Sequence, residues 1–153
     1  MALLSMFAKK ELLGEDEKSM IVNAIRSSEK KTSGEIRVYV ESHCKFVDSL
    51  DRAVQVFQAL NMQETDGRNA VLVYVAIKDR QLAVFADEGI YNKAGAHFWN
   101  TAVAGMLQHF NKSNYGNGIS SVVTEIGDTL QTHFPYNSLT DKNELPDDIV
   151  FGR

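Results

Sequence analysis

Four carboxylates and one arginine supply the most suggestive chemistry in this sequence: Glu35, Asp66, Asp87 and Glu88 around Arg68. Carboxylate oxygens are the hard ligands that Ca²⁺ and Mg²⁺ prefer, so a fold that gathered Asp87, Glu35, Asp66 and Glu88 would predict a divalent-cation site. The alternative is that Arg68 bridges Glu35 and Asp87, an ion-pair network that merely closes one end of a sheet. No spaced ligand motif such as an EF-hand loop selects between the two.

Other polar residues say less. His43 and Cys44 are adjacent, and on an extended segment neighbours point to opposite faces, so they do not make a thiol and base that act together. His97, His109 and His133 are spaced by 12 and 24 residues, which is not the i, i+4 pairing of a helical zinc site. Tyr115-Gly-Asn-Gly118 follows a helix rather than a strand and lacks a Lys-Ser/Thr ending, so it reads as a turn between helices and not as a phosphate loop. Trp99 and Phe110 belong to an apolar helical stripe and read as core.

The elements that must position these residues follow from periodicity. Acids at Glu15-Asp16-Glu17, apolar Met20, Ile21, Ala24 and Ile25, and Lys30-Lys31 at the finish mark a first helix. Ile36-Arg-Val-Tyr-Val40 alternates as a half-buried strand does. Asp48 N-caps a second helix carrying Leu50, Ala53, Val54, Phe57 and Leu60. Ala70 to Ile77 is an unbroken apolar run, as expected of a central strand covered on both faces. Lys78-Asp79-Arg80 turns it into Gln81-Leu-Ala-Val-Phe-Ala86, a third, antiparallel strand. Phe98 to Phe110 and Ile119 to Leu130 carry two C-terminal helical stripes.

The order helix, strand, helix, strand, strand, helix, helix predicts an α/β fold, a three-layer α/β/α sandwich on a small mixed sheet. A right-handed crossover makes the first two strands parallel. Their starts and the finish of the third strand then share one end, bringing Glu35, Asp66, Arg68, Asn69, Asp87 and Glu88 together. The other end collects a mixed rim of Glu41, His43, Cys44, Lys78, Asp79 and Arg80.

Composition bounds the rest. In 153 residues, 16 Lys and Arg face 20 Asp and Glu, a net charge of −4 that lacks the basic footprint of nucleic-acid binding. One cysteine permits no internal disulfide. The apolar opening through Phe7 is too short for a secretory or spanning segment before Lys9 and Lys10, so a cytoplasmic protein without a membrane span is expected.

Asn69-Ala-Val-Leu-Val-Tyr-Val-Ala76, Asp79-Arg80, Val84-Phe-Ala-Asp-Glu-Gly-Ile90, Phe98-Trp99 and a glycine-led last helix resemble the TPM domain, named for a thylakoid lumen protein, a photosystem repair protein and a nematode receptor modulator. The resemblance spans about residues 10–135 as a single domain and leaves 136–153 as an acidic C-terminal tail, either a flexible end or a segment for docking or self-covering. Thr32-Ser-Gly-Glu-Ile-Arg-Val38, Asp51-Arg52-Ala53, Arg68-Asn69, His109-Phe110, Phe134-Pro135 and Asn143-Glu-Leu-Pro-Asp147 are similar to its small stand-alone bacterial branch. The resemblance implies an α/β/α sandwich and an activity described variously as acid phosphatase, divalent-cation binder and accessory factor for membrane protein complexes.

Under the phosphatase reading, Asp87 or Glu35 would position water and Arg68 or a cation would neutralise phosphoryl charge. Under the third, metal-free reading, the acidic rim would take a basic protein segment. This chain departs from the family where Arg68-Asn69-Ala70 replaces Asp-Asn-Gly and Asp87-Glu88-Gly89 replaces Gly-x-Gly. An arginine in place of an acid repels a cation, so Asp66 or Glu35 would have to supply the lost ligand beside Asp87.

Overall fold

A computed structural model describes residues 12–137 and 148–152. Its elements are α1 (Glu15–Glu29), β1 (Glu35–Glu41), α2 (Ser49–Ala59), β2 (Ala70–Ala76), β3 (Gln81–Ala86), α3 (Glu88–Ala94), α4 (Ala96–Asn111), α5 (Tyr115–His133) and β4 (Val150–Phe151). The sheet order is β3-β2-β1-β4. β1 runs parallel to β2 and to β4, and β3 runs antiparallel to β2.

Side-chain alternation along β2 builds the three layers. Val71, Val73 and Val75 pack with Ile21, Ile25, Met106, Phe110, Ile119 and Ile126 of α1, α4 and α5. Leu72, Tyr74 and Ala76 face the other way, onto Ala53, Val56 and Phe57 of α2. Every residue of β2 is buried, which is why its sequence is apolar without a break. The α/β/α sandwich expected from the element order is the fold observed.

Three local features differ from the sequence expectation. The seven-residue α3 follows β3 directly, capped by the Asp87 carboxylate on the Glu88 amide, and is too short to show a helical period. Tyr115-Gly-Asn-Gly118 forms the first turn of α5 rather than the turn before it. The glycines are there for close approach: a Cβ at Gly118 would stand 2.8 Å from Cβ of His109, and the Gly116 amide donates to Glu17 of α1 at 2.9 Å. Finally, Val150 and Phe151 pair with Tyr39 and Val40 as a fourth strand, so this end of the tail lies along β1. The Asn143–Asp147 motif and the apolar opening through Phe7 lie outside the described residues.

Candidate functional site

The two ends of the sheet hold the polar residues, and chain direction decides which residues meet. The register pairs Glu35 with Ala70 and Val71 with Ala86, so the starts of β1 and β2 and the finish of β3 do share one end. There Asp87, only 4% exposed, leaves β3 and caps α3. Arg68 sits in the turn before β2 with φ 49°. Its guanidinium grips Asp87 with Nε at 2.7 Å and Nη2 at 2.8 Å, and Nη1 reaches Glu88 at 3.0 Å. Asp87 holds the Arg68 guanidinium above its ordinary range. The α3 amide of Gly89 donates to the Arg68 carbonyl at 2.7 Å, an approach so close that a Cβ on Gly89 would lie 2.0 Å from the Gly67 carbonyl oxygen.

This arrangement differs from the cation site expected from the sequence. Arg68 bridges Asp87 to Glu88 rather than to Glu35, and both Asp87 oxygens are taken by its fork. Asp66 is exposed, while Glu35 is buried at the start of β1. Among the described residues no three His, Cys, Asp or Glu side chains stand together so as to hold a metal ion. Asp87, Glu35, Asp66 and Glu88 as arranged do not fit Ca²⁺ or Mg²⁺, because Asp87 and Glu88 are paired with the Arg68 guanidinium and Asp66 and Glu35 do not join them in one group.

The opposite end is built differently. Beyond Glu41 the backbone continues alongside β2, with the Lys78 amide donating to the Ser42 carbonyl at 2.9 Å. The right-handed crossover then starts α2 over the same end, with Asp48 accepting from the Asp51 amide as N-cap. One turn in, Arg52 reaches back to β1 and forks onto the buried Glu41, Nε at 2.8 Å and Nη2 at 3.0 Å. Tyr74 of β2 donates its hydroxyl to the same carboxylate. Burial first, and then that bond to Glu41, push the Tyr74 hydroxyl far above its ordinary pKa. Tyr39 stacks on Tyr74 with ring centroids 6.1 Å apart, and Arg52 lies over Tyr39.

Above this buried network opens a cleft of about 450 Å³ lined by Glu41, Ser42, His43, Lys45, Arg52 and Lys78. Glu41 is already matched by Arg52. Lys45 and Lys78 form no ion pair among the described residues, so the cleft presents two ammonium groups and an imidazole. It lies outside the carboxyl ends of the parallel strands β1 and β2, where open α/β sheets place their ligands. Of the mixed rim read from sequence, Glu41, His43 and Lys78 line the cleft, and Asp79 holds the His43 ring from the β2–β3 hairpin at 2.8 Å. The Cys44 thiol turns to the Val47 carbonyl. Lys45 and Arg52 join the rim from outside the set expected from the strand ends. For Arg52 the signal was present, since a residue one turn beyond the Asp48 cap must sit at the end of the sheet where β1 stops.

The match of the TPM domain model to residues 6–129 covers most of the chain, which belongs to the TPM domain family. Its fold and sequence are similar to those of the BA42 protein from the psychrophilic bacterium Bizionia argentinensis, with 37% identity over 92% of this chain and 95% of that one and a TM-score of 0.83. The N-terminal domain of the cg2496 protein from Corynebacterium glutamicum shares the fold alone, at 16% identity, a TM-score of 0.57 and coverage of 76% of this chain and 73% of that one. No curated protein matches the sequence. No helix among the described residues is long and apolar enough to cross a membrane.

Proposed function

We propose that this TPM domain binds and hydrolyses a phosphate monoester, and that it does so in the cleft at the carboxyl end of the sheet. One observation carries the reading. Lys45, Lys78 and His43 face a cleft whose lining acid, Glu41, is matched by Arg52, with the Asp79 carboxylate held on the imidazole. A phosphoryl group carries its charge on peripheral oxygens, and its transfer is accelerated chiefly by positive charge and by positioning; the cleft gathers two ammonium groups and a carboxylate-held imidazole. The acidic end supplies neither, because its guanidinium is locked between Asp87 and Glu88.

The reading moves phosphoester chemistry away from Asp87, Glu35 and Arg68. It is tested by turnover of p-nitrophenyl phosphate and by calorimetric titration with inorganic phosphate. Lys45→Ala/Lys78→Ala should lose both, while Asp87→Ala, provided it melts as a folded domain, should keep both. Turnover that survives the lysine pair and disappears with Asp87→Ala returns the site to the acidic end.

A further inference from the structure

His43 and Asp79 come from separate connections, the loop after β1 and the β2–β3 hairpin, 36 positions apart in sequence. Nδ1 of His43 stands 2.8 Å from Oδ1 of Asp79, and the other carboxylate oxygen accepts the Cys44 amide at 2.7 Å. The His43 bond and then the Cys44 amide hold the Asp79 carboxyl below its ordinary value, so it is an ionised acceptor. A carboxylate can only accept, so the ring carries its hydrogen on Nδ1. In the neutral form of the ring Nε2 then carries the lone pair, on a side chain that lines the cleft beside Lys45 and Lys78.

That lone pair stands out among its neighbours. The Glu41 oxygens are taken by Arg52 and Tyr74, the lysines offer only donors, and the Ser42 hydroxyl has no hydrogen-bonded base among the described residues. An imidazole oriented by a carboxylate, with cations beside it to gather phosphoryl oxygens, is an activated nucleophile.

Resting on the cleft reading, we propose that His43 is the phosphoryl acceptor of this site and Asp79 its positioning residue. Nε2 forms a bond to phosphorus as the ester P–O bond breaks, and the departing alkoxide takes a proton from solvent to leave as an alcohol. Asp79, held on Nδ1–H, balances the positive charge that develops on the ring. Water then bonds to phosphorus as the N–P bond breaks, releasing inorganic phosphate and a proton and returning the neutral imidazole.

The test uses the full chain and phosphoramidate, a small phosphoryl donor, with the adduct located by fragmentation under alkaline conditions and its lability to acid recorded. One phosphoryl group should map to His43, forming faster than any adduct on His97, His109 or His133, and Asp79→Asn should slow it by about tenfold or more. His43→Ala should abolish it; mapping on the wild type decides the matter even where that variant does not fold. Labelling of His43 no faster than of the other histidines, or unchanged in Asp79→Asn, overturns the assignment. Absence of a His43 adduct while the lysine-dependent turnover persists overturns the assignment alone and leaves the cleft reading standing. Absence of turnover from a wild type that still labels His43 removes the hydrolase reading and supports the dyad.

Discussion

Each end of the sheet carries an arginine forked onto a buried carboxylate, Arg68 on Asp87 and Arg52 on Glu41, and a cleft lined by described residues opens over the second. At the first end the remaining guanidinium nitrogen goes to Glu88, so the fork is consumed by two acids. At the second the fork satisfies a single acid lying in the sheet, and Lys45, Lys78 and His43 stand around it without an acid of their own apart from Asp79 beneath the imidazole. The contrast separates two uses of the same pair. One closes a sheet end against α3; the other is a floor that keeps a buried carboxylate from cancelling the charges above it.

If Arg52 is that floor, removing it should have the largest effect on stability. Arg52→Ala would leave Glu41, 3% exposed, buried beside Tyr74 without its paired guanidinium, a loss of about 3 kcal/mol. Chemical denaturation of the two proteins measures it directly. A loss below about 1 kcal/mol would mean that water reaches Glu41 and that the cleft floor is open. The corresponding strain at the closed end falls on Gly89, where a methyl group would collide with the Gly67 carbonyl. Gly89→Ala should cost about 2 kcal/mol by overpacking, and it should leave p-nitrophenyl phosphate turnover unchanged at temperatures where the variant is folded.

What the sequence showed of these two ends was uneven, for physical reasons. Burial of β2 on both faces leaves a direct mark, an unbroken run from Ala70, and chain direction then assigns each strand end to one side of the sheet. That reasoning assigns Glu35, Arg68 and Asp87 to one end of the sheet but does not say which carboxylate an arginine will pair with, and Arg68 pairs with Asp87 and Glu88. His43 and Asp79 were both placed on the mixed rim, yet their bond depends on a loop conformation without periodicity, in which Phe46 takes φ 72°. Likewise α3 and β4, at seven and two residues, are shorter than any pattern can mark.

The clasp at the open end makes a smaller, pH-dependent prediction. The folded pKa of Asp79 lies below its ordinary value of 3.8, so the clasp's contribution is whole above that value and is lost as pH falls through the folded pKa. Melting temperatures of wild type and Asp79→Asn should therefore differ above about pH 4 and converge below it. A difference that persists in acid would mean that the bonds to His43 and Cys44 do not depend on the carboxylate's charge.

The smallest effect tests whether the closed end is closed by Arg68 alone. Asp87 and Glu88 are adjacent carboxylates bridged by one guanidinium that offsets one of their two charges, and removing Arg68 leaves the buried Asp87 with its cap on the Glu88 amide as its remaining side-chain bond among the described residues. Arg68→Ala leaves two acids at one helix start, with Asp66 exposed in the turn before them. Hard cations should then bind weakly, with affinities of about 1 mM, as at sites with few charged ligands and no rigid loop. Calorimetric titration with Ca²⁺ and Mg²⁺ should give heat for Arg68→Ala and none for the wild type, and Arg68→Ala/Asp87→Ala should be silent again. Heat from the wild type that disappears with Asp87→Ala would show the guanidinium yielding to an ion, and the acidic end would then be an ion site gated by Arg68.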